Sequence, residues 1–164
     1  MKNLYIDFDG VILDTITVLY NDIKRDLGDN ITDEQKRDYY SKYPWKDILT
    51  DDNIINDGIN AVSKIIECQK FNVNILTHIN SLNEGILKVK YLRRYFKDIT
   101  IILCPKEIPK TKMIKTEDSI LIDDYSGNLR EWVQEKGIPI KFSLNEETKE
   151  FPVISNLLQV IDMF

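Results

Sequence analysis

The sequence predicts an α/β fold, a central parallel sheet with a small helical insertion after its first strand, on three observations. Short β-branched runs alternate with segments of helical periodicity. Of the 66 residues between the first run and the second, about 55 have helical character, far more than an ordinary βα loop takes. Acidic pairs close the first and fourth runs, at the strand ends where the ligand sites of open α/β sheets lie.

The first strand covers Leu4 to Ile6. The insertion opens with a helix from Ile16 to Leu27, closed by Gly28, and Thr32 with Gln35 has the spacing of a capping box for a second, polar helix. A third helix runs from Ile59 to Phe71 with Ile59, Val62, Ile65 and Ile66 in phase. These parts make a small helical cap of residues 15–71 on a core of 1–14 and 72–164, joined by hinges near Asp14 and Phe71. The second strand is Val73 to Leu76. Ser81 and Glu84 then cap a helix whose Leu82, Ile86, Val89, Leu92 and Phe96 recur at helical spacing and should face the sheet. Strands follow at Ile99 to Leu103 and Ser119 to Ile122. A helix from Asn128 to Lys136 has Gly137 placed for a C′ stop and Pro139 beyond it. Pro139 to Phe142 is the fifth strand, and Val153 to Phe164 reads as a last helix with Ile154, Leu157, Leu158, Ile161 and Phe164 on one face.

The 164 residues suffice for one core and a modest insertion. A 43% hydrophobic and 30% charged composition excludes disorder and collagen-like repeats. A net charge of −5, from 22 basic and 27 acidic residues, excludes the basic footprint of a protein that tracks a nucleic-acid polymer. No apolar run approaches the roughly 20 residues that span a bilayer, and MKNLYIDFDG lacks a signal-peptide h-region, so no membrane partner and a cytoplasmic location are expected. Cys68 and Cys104, far apart and beside apolar runs, read as reduced, buried thiols.

The chemistry is concentrated at the strand ends. Asp7 and Asp9 alternate along the end of the first strand and so emerge on one side. Asp123 and Asp124 end the fourth. Four carboxylates converging on one crevice repel by about 4 kcal/mol per pair at 4 Å and an effective dielectric of 20, so the site must protonate some of them or hold a cation. Hard oxygen donors, few in number, favour Mg²⁺ completed by a substrate phosphate. Thr77 ends the second strand with a hydroxyl and an N–H suited to a phosphoryl oxygen, just ahead of a helix N-terminus. One lysine of Lys106, Lys110, Lys112 and Lys115 can neutralise both a nucleophilic carboxylate and a phosphoryl group. The set reads as phosphoryl transfer through an aspartyl-phosphate.

In order, Asp7-Phe8-Asp9-Gly10-Val11, Thr77, a lysine and Asp123-Asp124 resemble the four motifs of the haloacid dehalogenase (HAD) superfamily, whose core is Rossmann-like. DFDGVILDT, ILTHIN, IILCPKEIPKTK, LIDDYSGNLREW and GIPIKF are most similar to the 5′(3′)-deoxyribonucleotidase family. The resemblance covers the whole core, but the cap only in length and helical character. It implies Asp7 as nucleophile, Asp9 as general acid and then base, Thr77 as phosphate binder and Lys112 as the charge-neutralising lysine, with Lys110 and Lys115 as its competitors. It implies Mg²⁺ held by Asp7, the Asp9 carbonyl and Asp123, with Asp124 beside them as a water-mediated, orienting partner. The substrate implied is a small phosphate monoester, a (deoxy)nucleoside monophosphate first. DFDGVILDT also resembles phosphatases of phosphoglycolate and sugar phosphates, and a non-catalytic phosphate-binding module is the reading from another class.

Where family members carry a base-stacking aromatic residue soon after the first motif, this chain has Thr15. Tyr39, Tyr40, Tyr43 and Trp45 could supply a stacking platform instead, or simply pack. His78 stands where relatives often have a small residue, and reads either as a substrate contact or as a partly buried, hydrogen-bonded side chain. Trp132 reads as core.

Overall fold

The computed structural model of the chain describes residues 1–145 and 149–164. Strands β1 (Lys2–Ile6), β2 (Phe71–Ile79), β3 (Thr100–Pro105), β4 (Ile120–Asp123), β5 (Ile138–Phe142) and β6 (Val153–Ile154) form one parallel sheet in the order β3-β2-β1-β4-β5-β6. Leu4 of β1 lies opposite Val73 of β2 on one side and Ile120 of β4 on the other. The chain therefore lays down β1, β2 and β3 in one direction and then crosses back to begin β4 beside β1. The switch point, where crevices open at the carboxyl ends of the strands, falls between β1 and β4.

Alternation along the central strands builds two apolar layers. Leu4, Ile6, Ile120 and Ile122 enter the larger cluster, shared with α3 (Gly58–Glu67) and the insertion, while Tyr5 and Leu121 enter the smaller one with Leu129 and Trp132 of α5 (Ser126–Gln134). Ile59, Val62 and Ile65 of α3 lie in the same cluster as Ile75 of β2.

The insertion begins with α1 (Thr15–Leu27), closed by Gly28 at φ 83°, whose N–H donates to the Lys24 carbonyl 2.9 Å away. At this positive φ a residue without Cβ pays no steric penalty. In α2 (Asp33–Lys42) Thr32 and Gln35 form the reciprocal capping box expected of them. The chain then returns to its starting point: the Asp14 N–H donates to the Asn53 carbonyl at 2.8 Å and the Ile55 N–H to the Ile12 carbonyl at 2.9 Å. The four cap aromatics pack on one another. Trp45 is 1% exposed and meets Tyr43 edge to face, and Tyr39 meets both Tyr40 and Tyr43.

Three expected elements differ. In α4 (Leu82–Arg93) Leu82 and Ile86 face solvent, and Glu84, Gly85, Lys88, Tyr91 and Leu92 are the buried residues. A buried ion pair between Glu84 and Lys88 at 2.6 Å takes polar side chains inward and turns the apolar stripe partly outward. The helix expected at Val153–Phe164 is instead a short strand, β6, followed by a single 3₁₀ turn and α6 (Val160–Met163), because Asn156 and Gln159 form a capping box that starts helix only there. At the end of α5 the left-handed residue is Lys136, at φ 60°, rather than Gly137. Gly137 is required for another reason: a Cβ there would lie 2.1 Å from Trp132 Cδ1. Trp132 is core, its Nε1 donating to the Ser119 carbonyl. Cys104 is buried and Cys68 only partly so; neither forms a disulfide. No helix among the described residues is long and apolar enough to cross a membrane.

Candidate active site

Adjacency of β1, β2 and β4 brings Asp7, Asp9, Thr77, Asp123 and Asp124 to one end of the sheet. Asp7, just beyond β1, donates its N–H to the Ile122 carbonyl and so is held level with the end of β4. Its Oδ1 accepts from the Phe8 N–H at 2.8 Å and from Lys110 Nζ at 2.9 Å. No partner engages Oδ2 among the described residues. Asp123 is wholly buried, accepting at Oδ2 from Lys110 Nζ at 2.7 Å and Asn128 Nδ2 at 2.9 Å, and at Oδ1 from the Tyr125 N–H at 2.8 Å. Asp124 follows it at the crevice, its backbone carbonyl held by Lys141 Nζ at 2.5 Å. Gly10, at φ 73°, passes so close that a Cβ would lie 2.3 Å from Asp124 Oδ2.

Asp7, Asp123 and Asp124 each offer a carboxylate oxygen within 4.8 Å of the others. Burial pushes the Asp7 pKa well up, opposed by Lys110 and reinforced by the charges of Asp123, Asp124 and Asp9. Burial, then the Asp123 charge, pushes Asp124 up to about 7. Lys110 is buried too. Burial would depress its ammonium, yet Asp123 and Asp7 outweigh that and raise it, so it stays charged. Lys110 between Asp7 and Asp123, and Lys141 beside Asp124, leave the three carboxylates incompletely neutralised. An all-oxygen, anionic, incompletely neutralised set is the donor chemistry of a hard divalent cation such as Mg²⁺.

The structure brings Lys110, and neither Lys112 nor Lys115, to the carboxylates. Lys112, expected in the centre, has a side chain 64% exposed and reaches only Glu135 at 3.4 Å. Lys115 points to Glu117 from a side chain 85% exposed. Lys110 enters the site because Lys110–Lys112 form one 3₁₀ turn, in which residues two apart project in different directions.

Asp9 has a carboxylate environment of its own, outside the three-carboxylate group. Thr15 Oγ1 donates to Oδ1 at 2.7 Å, while Lys88 Nζ and Thr77 Oγ1 approach Oδ2 at 2.5 and 3.2 Å. Thr15, without a ring to offer a base, thus orients Asp9. Thr77 is fully buried with its hydroxyl among Asp9, Lys88 and the His78 carbonyl. His78 Nε2 lies 3.0 Å from the Ile108 carbonyl, and burial lowers its pKa, so the ring is a hydrogen-bonded wall of the site. Lys88 was not foreseen. Its signal in the sequence is the Glu84/Lys88 i,i+4 pair around Gly85, a glycine inside a helix marking a close approach.

No protein-family model matches the sequence, and no curated protein matches it either. Solved structures do match it in fold over nearly their whole length. A HAD-superfamily hydrolase of subfamily IA from Geobacter sulfurreducens is 13% identical, with 100% of each chain covered and a TM-score of 0.64. A hydrolase from Pseudomonas syringae is 15% identical over 99% of this chain and 97% of that one, with a TM-score of 0.68. A D,D-heptose bisphosphate phosphatase from B. bronchiseptica, complexed with magnesium and phosphate, is 14% identical over 99% and 97%, at 0.58. The fold is that of the HAD-like hydrolases.

Proposed function

We propose that this chain is a Mg²⁺-dependent phosphatase of small phosphate monoesters that works through an aspartyl-phosphate on Asp7. The single observation that carries the reading is Lys110 bridging Asp7 and Asp123 at 2.9 and 2.7 Å, beside a third carboxylate, at the switch point of this fold. The solved neighbours support it, one of them a phosphatase holding magnesium and phosphate.

Asp7 Oδ2, the oxygen left open by Phe8 and Lys110, attacks phosphorus; the Oδ2–P bond forms as the bond to the leaving oxygen breaks. Lys110 fixes the other oxygen of the nucleophile and offsets charge on the phosphoryl group. Asp9 acts as the general acid toward the leaving alkoxide. As a carboxylate it then takes a proton from the water that attacks the aspartyl-phosphate, releasing phosphate and restoring Asp7. Thr77 borders the phosphoryl position. Asp7, Asp123 and Asp124, with the Asp9 carbonyl, would hold Mg²⁺. The ion, when bound, supplies charge neutralisation for the phosphoryl oxygens.

The same proposal takes residues 1–14 and 72–164 as catalytic core and 15–71 as helical cap, with α3 as the helix that crosses back onto the sheet. For substrate, a (deoxy)nucleoside monophosphate ranks first on the motif resemblance, ahead of phosphoglycolate or a sugar phosphate. Of the cap aromatics, Tyr43 and Trp45 are buried in packing, while Tyr39 and Tyr40 stay half-exposed. The test is phosphate release from a panel of nucleoside monophosphates, phosphoglycolate and sugar phosphates, with Mg²⁺ or with chelator, and with Asp7→Asn as blank. Mg²⁺-dependent turnover abolished in Asp7→Asn is the expected result. Turnover by Asp7→Asn at the wild-type rate refutes the covalent route, and release from no compound refutes the phosphatase reading.

A further inference from the structure

Lys88 is wholly buried, on the inward face of α4, beneath the insertion. Its Nζ lies 2.5 Å from Asp9 Oδ2, 2.6 Å from Glu84 Oε1 and 3.0 Å from the His78 carbonyl, which uses all three of its protons. Glu84 is equally constrained: Oε2 accepts from the Asn80 N–H at 2.6 Å and from Asn80 Nδ2 at 3.1 Å. The loop after β2 therefore fixes Glu84, Glu84 fixes Lys88, and Lys88 fixes one oxygen of Asp9 while Thr15 fixes the other. The rings of Phe8 and Trp45 lie 5.5 and 5.2 Å from the ammonium and seal it from water.

Packing alone does not call for this arrangement. Burying an ammonium and two carboxylates costs several kcal/mol per ion before their attraction repays it, and well-packed apolar residues do the same structural work as well or better. The chain ends on the one carboxylate that stands outside the Asp7, Asp123 and Asp124 group. We propose that Lys88, braced by Glu84, is the positioning residue for Asp9: it holds the carboxylate on the β2 side of the crevice, in the orientation from which a proton reaches the leaving group. Trp45, which covers the ammonium, makes this a contact between the insertion and the reacting centre. Lys88 itself takes no part in bond making. The inference rests on the reading of Asp9 as proton carrier.

The test separates steps that need Asp9 from the one that does not. With 2,4-dinitrophenyl phosphate the leaving group departs as a stable anion, so formation of the Asp7–phosphate needs no proton donor, whereas its hydrolysis still needs a base. An alkyl monoester needs Asp9 in both steps. Lys88→Met is compared with Lys88→Met/Glu84→Gln, which removes one charge of each sign and keeps the buried balance of the site. With Mg²⁺ present, the dinitrophenolate burst of the double variant stays within about threefold of wild type. Its later turnover, and its kcat on the alkyl ester, fall by about 10²-fold, the scale of general acid–base catalysis, with KM nearly unchanged. A burst that falls in parallel with turnover assigns Lys88 a structural role and overturns the inference, as does wild-type turnover in both variants. If the unmodified chain gives neither burst nor turnover, the phosphatase reading fails, and this inference falls with it.

Discussion

Replacing Lys110 by Met removes the single buried ammonium between Asp7 and Asp123 and puts a side chain of similar length in its place. Carboxylate oxygens within 4.8 Å of one another repel by about 3.5 kcal/mol per ionised pair at an effective dielectric of 20. Breaking a buried pair from one side usually costs about 3–5 kcal/mol, or about 6–20 °C of melting temperature in a domain of this size. Lys110→Met should therefore unfold early in urea or heat at pH 8. The deficit should shrink as pH falls toward 6, because Asp7 and Asp124, whose pKa values are raised in the fold, take up protons as their repulsion grows costly. Millimolar Mg²⁺ should restore much of the loss by standing in for the missing charge. Phosphate release should drop by about 10²-fold or more, the scale on which a preorganised electrostatic contact acts. Lys112→Met, at an exposed site, should leave stability and turnover within experimental error of wild type. Wild-type stability and activity in Lys110→Met, or a loss confined to Lys112→Met, would refute the assignment of the bridging lysine.

Asp7→Asn should abolish phosphate release yet unfold no earlier than wild type, since it replaces a carboxylate that burial already disfavours as an ion; circular dichroism melts alongside the assay check both halves. Trp45→Ala, at a side chain 1% exposed, should cost about 3–5 kcal/mol in urea denaturation. It should weaken nucleotide and non-nucleotide substrates alike, because the ring packs and is not presented to a base. Tyr95 and then Tyr91 hydrogen-bond to Asp51 and lower its carboxyl pKa, tying the insertion to α4. A depressed carboxylate contributes stability above its unfolded value near 4 and loses it as pH falls through the folded value. Asp51→Asn should therefore narrow the stability difference between pH 7 and pH 3, as melts across that range will show.

The strand runs and the carboxylates at their ends were legible because both are local. Alternation and β-branching mark a buried strand, and Asp7, Asp9, Thr77, Asp123 and Asp124 fall at the ends of such runs whatever the rest of the chain does. Capping was legible for the same reason at Thr32 and Gln35. The lysine was not, since Lys110 and Lys112 differ only by their place in a 3₁₀ turn set by Pro109 and by docking against α5 and β2. Nor was the inward face of α4, where counting apolar residues points to Leu82 and Ile86 while a charge pair takes the buried side. Gly85 between Glu84 and Lys88 was the available clue, since a Cβ there would press within 2.8 Å of Leu103 Cδ1. At the C-terminus the spacing of Asn156 and Gln159 was the cap signal that marks where the helix begins.

The pairing of Leu4 with Ile120 closes a loop of more than a hundred residues at the middle of the sheet. A nascent chain leaving the ribosome therefore exposes Asp7 and Asp9 long before it has Lys110 or Asp123 to set beside them. Nothing in its first hundred residues can assemble the reaction centre. Completion waits for a contact of high sequence separation, the kind that slows folding. The strand whose docking closes that loop, β4, is also the one that ends in Asp123, so the long-range pairing and the assembly of the carboxylate cluster are one event.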